Sequence, residues 1–372
     1  MKILHITKKY TRALGGDAVV VSNLEKQQLA RRHEVVVLAS NCDEIIADEQ
    51  HYKFGLLDTS AALDSITPRR LASLVALLFE TFRVMARERP DVVHTHSIDI
   101  AFMASFAARW FNVPVVHTFH ILVFPDSRHD PLRRKSELLF LKGARPQIVT
   151  VPNATDVNHL KQAGVTNARL LTNGTDLSFW KKEKQLHDVF TFIAVARLEE
   201  QKGLGYLIRA AAELKKTAEL FKLIIVGDGS LKEKLTTLAR ELSVDEVVEF
   251  VGAKRPEEVR DLYSLSDAVV IPSLWESGPL TALEAWAMGL PLIITKVGIF
   301  ADEPGDCTHA RLVEAGDYKV LAESMAELLA DPRAREELAA AGHAAVLGYT
   351  WEAMANTADD LYAEARTRTF ED

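Results

Sequence analysis

Short apolar runs rich in β-branched residues alternate with longer amphipathic runs along the whole chain. In the first half, the short runs predict strands at residues 2–6, 34–39, 91–96, 114–119 and 147–151. The longer runs there predict helices at about 18–32, 68–89, 99–111 and 131–143. Continuous rather than alternating hydrophobicity is typical of strands covered on both faces. Strand–helix alternation therefore predicts a parallel, doubly wound α/β sheet.

The same alternation recurs in the second half of the chain. There the predicted strands are at residues 191–196, 222–227, 247–252, 268–272 and 291–295. The predicted helices are at about 203–217, 230–242, 256–264, 279–289 and 317–330. A single hydrophobic core rarely serves more than ~250–300 residues, and this chain has 372. We therefore predict two Rossmann-like domains that face each other across a cleft.

The boundary between the two domains is predicted near residues 173–188, where turn residues and charges replace apolar periodicity. This places the first domain at 1–171 and the second at 172–372. In open α/β sheets, ligands bind outside the carboxyl ends of the strands. Residues that directly follow a strand are therefore the candidates for function.

Charge and cysteine content narrow the class of protein. The net charge is −8, from 44 basic and 52 acidic residues, which argues against a nucleic-acid partner. Cys42 and Cys307 are the two cysteines, too few for a disulfide framework, so a cytoplasmic setting is expected. The start of the chain lacks the apolar core of a signal peptide. The most apolar run, Leu71–Phe79, is about half the ~20 residues that a membrane-spanning helix needs.

Paired glycines follow the first predicted strand. Gly15 and Gly16 precede a helix, where a backbone without side chains can approach a ligand and helix-start amides attract anions. A plain turn explains the same pattern. The pair does not form the dinucleotide fingerprint GxGxxG, and no acidic residue clearly closes the second strand, which argues against a nicotinamide enzyme.

Four histidines lie in or directly after two successive predicted strands. His94 and His96 end one strand, and His117 and His120 belong to the next, "VVHTFH". Strand alternation points His94 and His96 to the same face. Such a cluster could indicate a metal, but no cysteine or HExxH spacing accompanies it, so no metal is expected. His120 is the best functional candidate because its strand opens toward the cleft there, although a structural role fits as well.

Two loops in the second half carry candidate donor-binding groups. Arg197 and Lys202 lie between a strand and a helix that begins near Gly203. Two cations and free amides there could clamp a diphosphate, or the cations could simply be solvated. Gly227 and Gly229 follow the next strand, where they could admit a flat base or make a tight turn.

The segment "WESGPLTALEAWAMGLP" predicts a helix start after a buried strand. Pro279 suits the first helical position, which places Gly278 near the N-cap. The amides around Ser277 and Leu280 could then receive phosphate oxygens, except that Pro279 has no amide hydrogen.

Two carboxylates flank this helix start. Glu276 lies in the loop before it and Glu284 lies inside the helix. Both could accept hydrogen bonds from sugar hydroxyls, each worth ~1.5–3 kcal/mol. The ordinary explanation is that Glu276 interacts with the helix dipole and that Glu284 is an exposed helix residue.

Taken in order, these motifs resemble those of the retaining nucleotide-sugar glycosyltransferases with the GT-B fold, known as family 4 and as glycosyl transferases group 1. The motifs that carry the resemblance are the Gly15-Gly16 loop, "DVVHTHS", "HTFH", "NGTDLSFW", "ARLEEQKG", "VGDG" and "ESGPLTALEAWAMGLPLI". They span nearly the whole chain. The family often has Phe-Gly where this chain has Gly278-Pro279, which implies one phosphate contact fewer.

The resemblance implies a role for each donor-side residue. Arg197 and Lys202 would hold the donor diphosphate and neutralise the leaving group. Glu284 would bind the ribose, and Glu276 would bind the transferred sugar together with the amides around Gly278. The remaining donor-binding candidates, on the same implication, are Gly15, Gly16, Ser277, Pro279, Leu280, Gly227 and Gly229.

The resemblance also implies a role for the first domain. It would shape the acceptor site, with His120 facing the sugar near the reacting carbon and Gly16 letting the first loop approach the diphosphate. The last helix, at about 351–366, would cross back to this domain. Members of the family retain anomeric configuration and typically use neither a metal nor another cofactor.

Several alternatives stay open at this point. A nucleotide-sugar epimerase or another non-transferring enzyme could use the same architecture, and so could a non-catalytic binding subunit, although the intact Arg197, Lys202, Glu276 and Glu284 set argues against a binding subunit. The sequence leaves the donor sugar, the base and the hydroxyl acceptor (a glycan, a glycolipid or a small metabolite) undefined.

Contact with a membrane surface is a further possibility. The basic amphipathic segments 69–89 and 127–145 could lie on anionic lipid at the inner face of the membrane. Solvated faces over the domain core are the more ordinary explanation of these segments.

Overall fold

The fold is described from a computed structural model of the chain. The residues that it describes are 1–10, 16–41, 51–53, 68–125, 131–181, 183, 185, 187–217, 220–301 and 308–368. Gly15 and both cysteines lie outside these residues. The chain divides into two compact units. The first unit comprises Met1–Asn173 together with Trp351–Asp372, and the second comprises Gly174–Thr350.

The first unit is built on a seven-stranded sheet in the order β3-β2-β1-β4-β5-β6-β7, and every pairing in it is parallel. Its strands are β1 (Lys2–Lys9), β2 (Glu34–Asn41), β3 (His51–Lys53), β4 (Val92–Thr95), β5 (Val115–Thr118), β6 (Ile148–Val151) and β7 (Ala168–Leu170). Its helices are α1 (Gly16–Ala30), α2 (Pro68–Glu88), α3 (Ile98–Phe111), α4 (Pro131–Ala144), α5 (Ala154–Gln162) and α12 (Trp351–Thr367).

Strands β4 and β5 show why this sheet is covered on both faces. Each reads Val-Val-His-Thr, and all four side chains of each strand are buried. A strand with only one covered face would alternate buried and exposed positions. The sheet therefore encloses histidines and threonines as well as aliphatic side chains, and those polar groups need hydrogen-bond partners inside the unit.

Helix α12 belongs to the first unit although the whole second unit precedes it in the chain. It packs against α1, where Arg31 Nη2 donates to the carbonyl oxygen of Glu352 at 2.9 Å and to Asn356 Oδ1 at 2.9 Å. Tyr362, in the middle of α12, is fully buried. The last helix is thus part of the core of the first unit.

The second unit repeats the architecture with a six-stranded parallel sheet in the order β10-β9-β8-β11-β12-β13. Its strands are β8 (Phe190–Val195), β9 (Phe221–Val226), β10 (Val248–Gly252), β11 (Ala268–Ile271), β12 (Leu292–Thr295) and β13 (Arg311–Val313). Its helices are α6 (Leu204–Leu214), α7 (Lys232–Glu241), α8 (Pro256–Ser264), α9 (Leu280–Ala287), α10 (Tyr318–Ala330) and α11 (Pro332–Val346). The prediction of two doubly wound parallel sheets is confirmed.

Side-chain caps define several helix starts. The Asp317 carboxylate accepts from the amides of Lys319 and Val320 before α10. Asp331 caps α11 in the same way, with Pro332 at the first helical position. Such caps satisfy amides that have no acceptor within the helix. In contrast, the described residues of 173–188 form no helix or strand, apart from a single bridge between Thr175 and Thr350.

One predicted helix start is wrong. The sequence predicts Pro279 at the first helical position with Gly278 near the N-cap, but Pro279 is itself the N-cap, at φ −68° and ψ 118°. Helix α9 begins at Leu280 and ends at Ala287, so it is shorter than the predicted 279–289. A ψ in the extended region cannot continue a helix, which explains why the proline stays outside it.

Candidate functional site

Lys202 and Glu276 form an ion pair in the second unit. Lys202 Nζ donates to Glu276 Oε1, and the Ser273 hydroxyl donates to the same oxygen at 3.0 Å. The side chain of Lys202 is 19% exposed and that of Glu276 is 6% exposed. The structure thus joins two residues that the sequence placed in separate motifs, and it surrounds the Glu276 carboxylate with two donors.

The short 3-10 helix that ends at Lys202 is fastened to the loop after β11. The Leu274 amide donates to the carbonyl oxygen of Gln201 at 2.8 Å, and Gln201 Nε2 donates to the carbonyl oxygen of Trp275 at 3.1 Å. Gly203 follows at φ +62°, and a Cβ there would stand 2.0 Å from the carbonyl oxygen of Pro272. Only glycine fits this contact and conformation, so Gly203 allows the approach that brings Lys202 to Glu276.

Gly227 and Gly229 bring the loop after β9 against the loop after β8. Gly227 has φ +138°, and its Cβ would stand 1.9 Å from the carbonyl oxygen of Ala196. A Cβ on Gly229 would stand 2.6 Å from the carbonyl oxygen of Leu198. Between the two open alternatives, this geometry favours a tight backbone turn, and it supports the segment that carries Arg197.

Arg197 lies at the surface of this loop. Its side chain is exposed, and within the described ranges no ion pair or side-chain hydrogen bond involves its guanidinium. The neighbouring Glu199 carboxylate is held by the Ser230 amide at 3.0 Å and the Ser230 hydroxyl at 2.7 Å. These bonds, with the Arg197 charge, lower the pKa of Glu199. The guanidinium donors of Arg197 therefore remain open to a ligand.

Glu284 is partly buried in α9, so it is not the exposed helix residue of the ordinary explanation. The Tyr263 hydroxyl donates to Glu284 Oε2 at 3.4 Å. Burial raises the pKa of Glu284 to about 7, and the bond from Tyr263 lowers it only in part. Burial and the nearby carboxylate raise the pKa of Tyr263 well above its ordinary value. Glu284 is therefore poised to change charge near neutral pH.

The turn before α9 is compact. Ser277 is buried, and Gly298, at φ +59°, lies so close that a Cβ would stand 2.6 Å from the carbonyl oxygens of Glu276 and Ser277. The amides of Leu280 and Thr281 occupy the first two helical positions, where no acceptor exists within the helix. Sequence reasoning missed Ser273, Gln201 and Gly298, whose importance depends on contacts between distant segments.

His120 lies just after β5 in the first unit and is partly exposed. Its Nε2 is 3.3 Å from Nδ1 of His96, and the two rings stack with centroids 5.4 Å apart. His96 Nε2 is in turn 3.0 Å from Nδ1 of His5. Burial lowers the pKa of all three rings. Gly16 begins α1 and is exposed.

A histidine trio in the first unit has the spacing of metal ligands. Nitrogens of His5, His94 and His96 lie within 4.8 Å of one another, and the rings of His94 and His96 have centroids 4.3 Å apart, as their shared strand face predicts. Each ring already has hydrogen-bond partners, so a metal could bind here only if some of those bonds were given up.

Two family models match the chain in succession. The model described as Glycosyltransferase Family 4 matches residues 14–179, and the model described as Glycosyl transferases group 1 matches residues 178–344. The chain belongs to the family 4, group 1 glycosyltransferases. The family drawn from the motifs is thereby confirmed, while retention of configuration stays a prediction, and neither an epimerase nor another non-transferring enzyme is favoured.

Relatives and solved structures of this glycosyltransferase agree with that assignment. The D-inositol 3-phosphate glycosyltransferase of Corynebacterium diphtheriae is 28% identical over 311 residues, which cover 74% of this chain and 71% of that protein. Sucrose-phosphate synthase from Thermosynechococcus elongatus has the same fold with a TM-score of 0.83 at 22% identity, and 98% of each chain is covered. Anabaena HepE in complex with UDP-glucose has a TM-score of 0.78 at 18% identity, covering 98% of this chain and 100% of that one.

These matches define the fold of the glycosyltransferase as GT-B. Among the helices in the described part of the chain, none combines the length and apolarity that a bilayer-spanning segment requires.

Proposed function

We propose that this glycosyltransferase moves a sugar from a nucleoside diphosphate sugar to a hydroxyl acceptor with retention of anomeric configuration. The observation that carries the proposal is the Lys202–Glu276 ion pair, in a unit that also exposes the Arg197 guanidinium and begins α9 at Leu280, four residues after Glu276. One cation and one carboxylate at the same point match the two halves of the donor. The diphosphate needs positive charge, and the sugar hydroxyls need acceptors.

The pair has different partners before and after the donor binds. Without donor, the Lys202 ammonium neutralises Glu276 and the Ser273 hydroxyl donates to the same carboxylate oxygen. A bound diphosphate would compete for the Lys202 ammonium, and Glu276 would then accept hydrogen bonds from sugar hydroxyls instead. The relative HepE, whose structure holds UDP-glucose, supports a donor of this class.

The chemistry follows from charge development. As the bond between the anomeric carbon and the phosphate oxygen breaks, negative charge grows on the phosphate, where Arg197 and Lys202 stabilise it without reorganisation. The acceptor oxygen bonds to the anomeric carbon on the face from which the phosphate leaves. The acceptor proton passes to the departing phosphate oxygen, so atoms and charge balance. Because the two cations supply the positive charge, no metal is required in this proposal.

Glu284 and His120 complete the proposed donor contacts. Glu284 would accept from the ribose hydroxyls, while the amides of Leu280 and Thr281 would receive phosphate oxygens. His120, in the first unit, would meet the transferred sugar. Gly16 would let the loop before α1 approach the diphosphate.

The test is a transfer assay with purified full chain, a panel of nucleotide sugars and hydroxyl acceptors, with and without a chelator. We expect nucleotide release that depends on acceptor, a product with the anomeric configuration of the donor, and no loss on chelation. A product of inverted configuration would overturn retention. Conversion of the donor sugar without acceptor would instead identify an epimerase, and donor binding without release would identify a binding subunit.

We also propose that helices α2, α3 and α4 of the first unit contact an anionic membrane surface. Their outer faces carry large exposed apolar side chains: Val75, Phe79, Phe102, Phe106, Trp110, Leu132 and Leu139. Aromatic contacts link the three helices. The ring centroid of Phe82 in α2 lies 6.4 Å from those of Phe106 and Trp110 in α3, and the centroid of Phe102 in α3 lies 5.4 Å from that of Phe140 in α4. We call this surface the aromatic face.

The charges on the helices of the aromatic face indicate what kind of surface it contacts. The same three helices expose Arg83, Arg87, Arg109, Lys135 and Lys142, although the whole chain has a net charge of −8. Exposed aromatic and aliphatic side chains on helices that also expose cations fit the interface of an anionic lipid bilayer, where apolar groups enter the acyl boundary and cations meet the headgroups. A lipid-linked acceptor would suit such a surface.

A further inference from the structure

A chain of hydrogen bonds runs through the first unit from α1 to His120. Gln28 Oε1 is 2.8 Å from His5 Nε2, and His5 Nδ1 is 3.0 Å from His96 Nε2. His96 Nδ1 is 3.3 Å from His120 Nε2. Gln28, His5 and His96 are all buried, so water does not compete for these bonds, and His120 at the end of the chain is partly exposed.

The direction of each bond follows from the amide of Gln28. An amide oxygen only accepts, so His5 must carry its proton on Nε2. Because burial lowers its pKa, the His5 ring is neutral and its Nδ1 can only accept. His96 must therefore donate from Nε2 and accept at Nδ1, which requires a donating Nε2–H on His120.

A second arm holds the amide of Gln28 in place. Gln28 Nε2 donates to the Tyr362 hydroxyl at 3.0 Å, and the Tyr362 hydroxyl is 2.7 Å from His94 Nδ1. The Tyr362 hydroxyl thus accepts a hydrogen bond from Gln28 Nε2 and donates one to His94 Nδ1. The other nitrogen of His94 is 2.6 Å from the Thr118 hydroxyl. If the amide were reversed, every donor in both arms would become an acceptor.

We propose that Gln28 is a positioning residue that acts through His5 and His96 to hold His120 as the Nε2–H tautomer. The Nδ1 atom of His120 is then a hydrogen-bond acceptor, and no bond among the described residues uses it. An acceptor at this point fits a hydroxyl group of the transferred sugar. This last step rests on the proposed function, whereas the tautomer itself does not.

The tautomer is measured on the full chain without donor, with isotope-labelled histidine and ring nitrogen–proton correlation spectra. The His120 signals are identified by their loss in His120→Asn. At neutral pH we expect a single Nε2–H pattern for His120 in the unmodified chain. An Nδ1–H pattern, or a mixture of the two, would overturn the proposal whatever the Gln28 variants show.

Two variants separate the acceptor role of Gln28 from simple packing. Gln28→Met keeps the length of the side chain but has only a weakly accepting thioether in place of the amide oxygen, so His120 should become a mixture of tautomers. Gln28→Glu still accepts from His5 and should keep the single pattern. Gln27→Met, at the neighbouring and less buried position of α1, is the matched control and should change nothing. A single unchanged pattern in Gln28→Met would reject the relay.

Kinetics then connect the tautomer to the proposed function. We expect Gln28→Met to lower kcat several-fold with little change in donor affinity, and Gln28→Glu to recover most of it. If the spectra behave as expected but no donor supports transfer, the proposed function fails and the tautomer assignment stands. If transfer occurs but Gln28→Met leaves kcat unchanged, the link from Gln28 to catalysis is wrong.

Discussion

Lys202 Nζ is hydrogen-bonded to Glu276 Oε1, although 74 residues separate the two positions in the sequence. Each charge is therefore part of the stability of the second unit as well as a candidate ligand group. Removing one partner leaves the other uncompensated in a site from which most water is excluded.

Lys202→Met should abolish transfer and also destabilise the chain, by about 1–3 kcal/mol, because the Glu276 carboxylate loses its cation. The double variant Lys202→Met with Glu276→Gln should recover most of that stability and none of the activity. Urea unfolding of both variants and of Glu276→Gln alone forms a double-mutant cycle. A double variant whose loss of stability equals the sum of the losses in the two single variants would show that the pair contributes no coupling energy to folding.

Gly203→Ala should destabilise by more than the ~1–3 kcal/mol that backbone strain alone costs, because its Cβ would meet the Pro272 carbonyl. Two glycines give matched controls. Gly289 has φ +68° with open space around a Cβ, so Gly289→Ala should show the strain alone. Gly205 lies inside α6 with ordinary contacts, so Gly205→Ala should stabilise by about 0.5–1 kcal/mol. Thermal unfolding should rank Gly205→Ala highest and Gly203→Ala lowest.

Nucleotide-sugar affinity should increase as pH rises through about 7, since the pKa of Glu284 is raised to about 7 and the ionised carboxylate is the better acceptor. Between about pH 6 and about pH 8 the dissociation constant should fall, by up to about tenfold if only the ionised form binds ribose. Glu284→Gln should bind with an affinity that does not depend on pH in this range. Titration calorimetry with the donor that stabilises the chain most would measure this, and an identical pH dependence in both proteins would remove Glu284 from the site.

The raised pKa of Glu284 also predicts how stability depends on pH. The contribution of this carboxyl group to stability should fall as pH rises, whereas donor affinity should increase. Its folded pKa is raised above the ordinary value, so the folded chain binds this proton more tightly than the unfolded chain does. The contribution of Glu284 to the free energy of unfolding is therefore largest below about pH 4.5 and falls as pH rises to about 7. Urea unfolding of the unmodified chain and of Glu284→Gln should diverge over this window and run parallel above it.

Binding to anionic vesicles should depend on the aromatic face. Phe106→Ser and Trp110→Ser should each weaken binding about tenfold or more, because a buried aromatic side chain contributes about 1.5–3 kcal/mol. Leu347→Ser changes an apolar residue of the second unit whose exposure, 58%, is close to the 61% of Phe106, and this variant should bind normally. Co-sedimentation with phosphatidylglycerol vesicles at low and high salt checks this.

Two results would contradict the assignment of the aromatic face to lipid. One is the absence of binding even at low salt. The other is a chain that self-associates through Trp110, which light scattering would detect and which would make a second copy the partner of this face.

The sequence predicted every interior strand of each sheet and one edge strand, β10. The three that it missed, β3, β7 and β13, are short and lie at sheet edges. An edge strand has only one neighbour and is less covered, so β7 (ARL) and β13 (RLV) carry exposed or half-buried positions and no continuous apolar run. Their pairing depends on the sheet beside them, which no local pattern reveals.

The two helices that the sequence reading missed did carry local signals. Asn153 caps α5 by accepting from the Asp156 amide, and an Asp-Pro step starts α11. Both are recognised helix-start patterns. The candidate site is different, since motifs identified Lys202, Glu276 and Glu284 one by one but not their partners. Ser273 and Tyr263 become visible only when separate strands bring their loops together.

Because Tyr362 comes from α12, the first unit is completed last. The whole second unit is synthesised before the helix whose Tyr362 contacts Gln28 and His94. Until then, the histidines of the first unit and the side of α1 that packs against α12 lack the helix that covers them in the folded chain. The first unit therefore cannot complete its core until α12 has been synthesised. A stop codon shortly before residue 351 would destabilise the unit that was translated first.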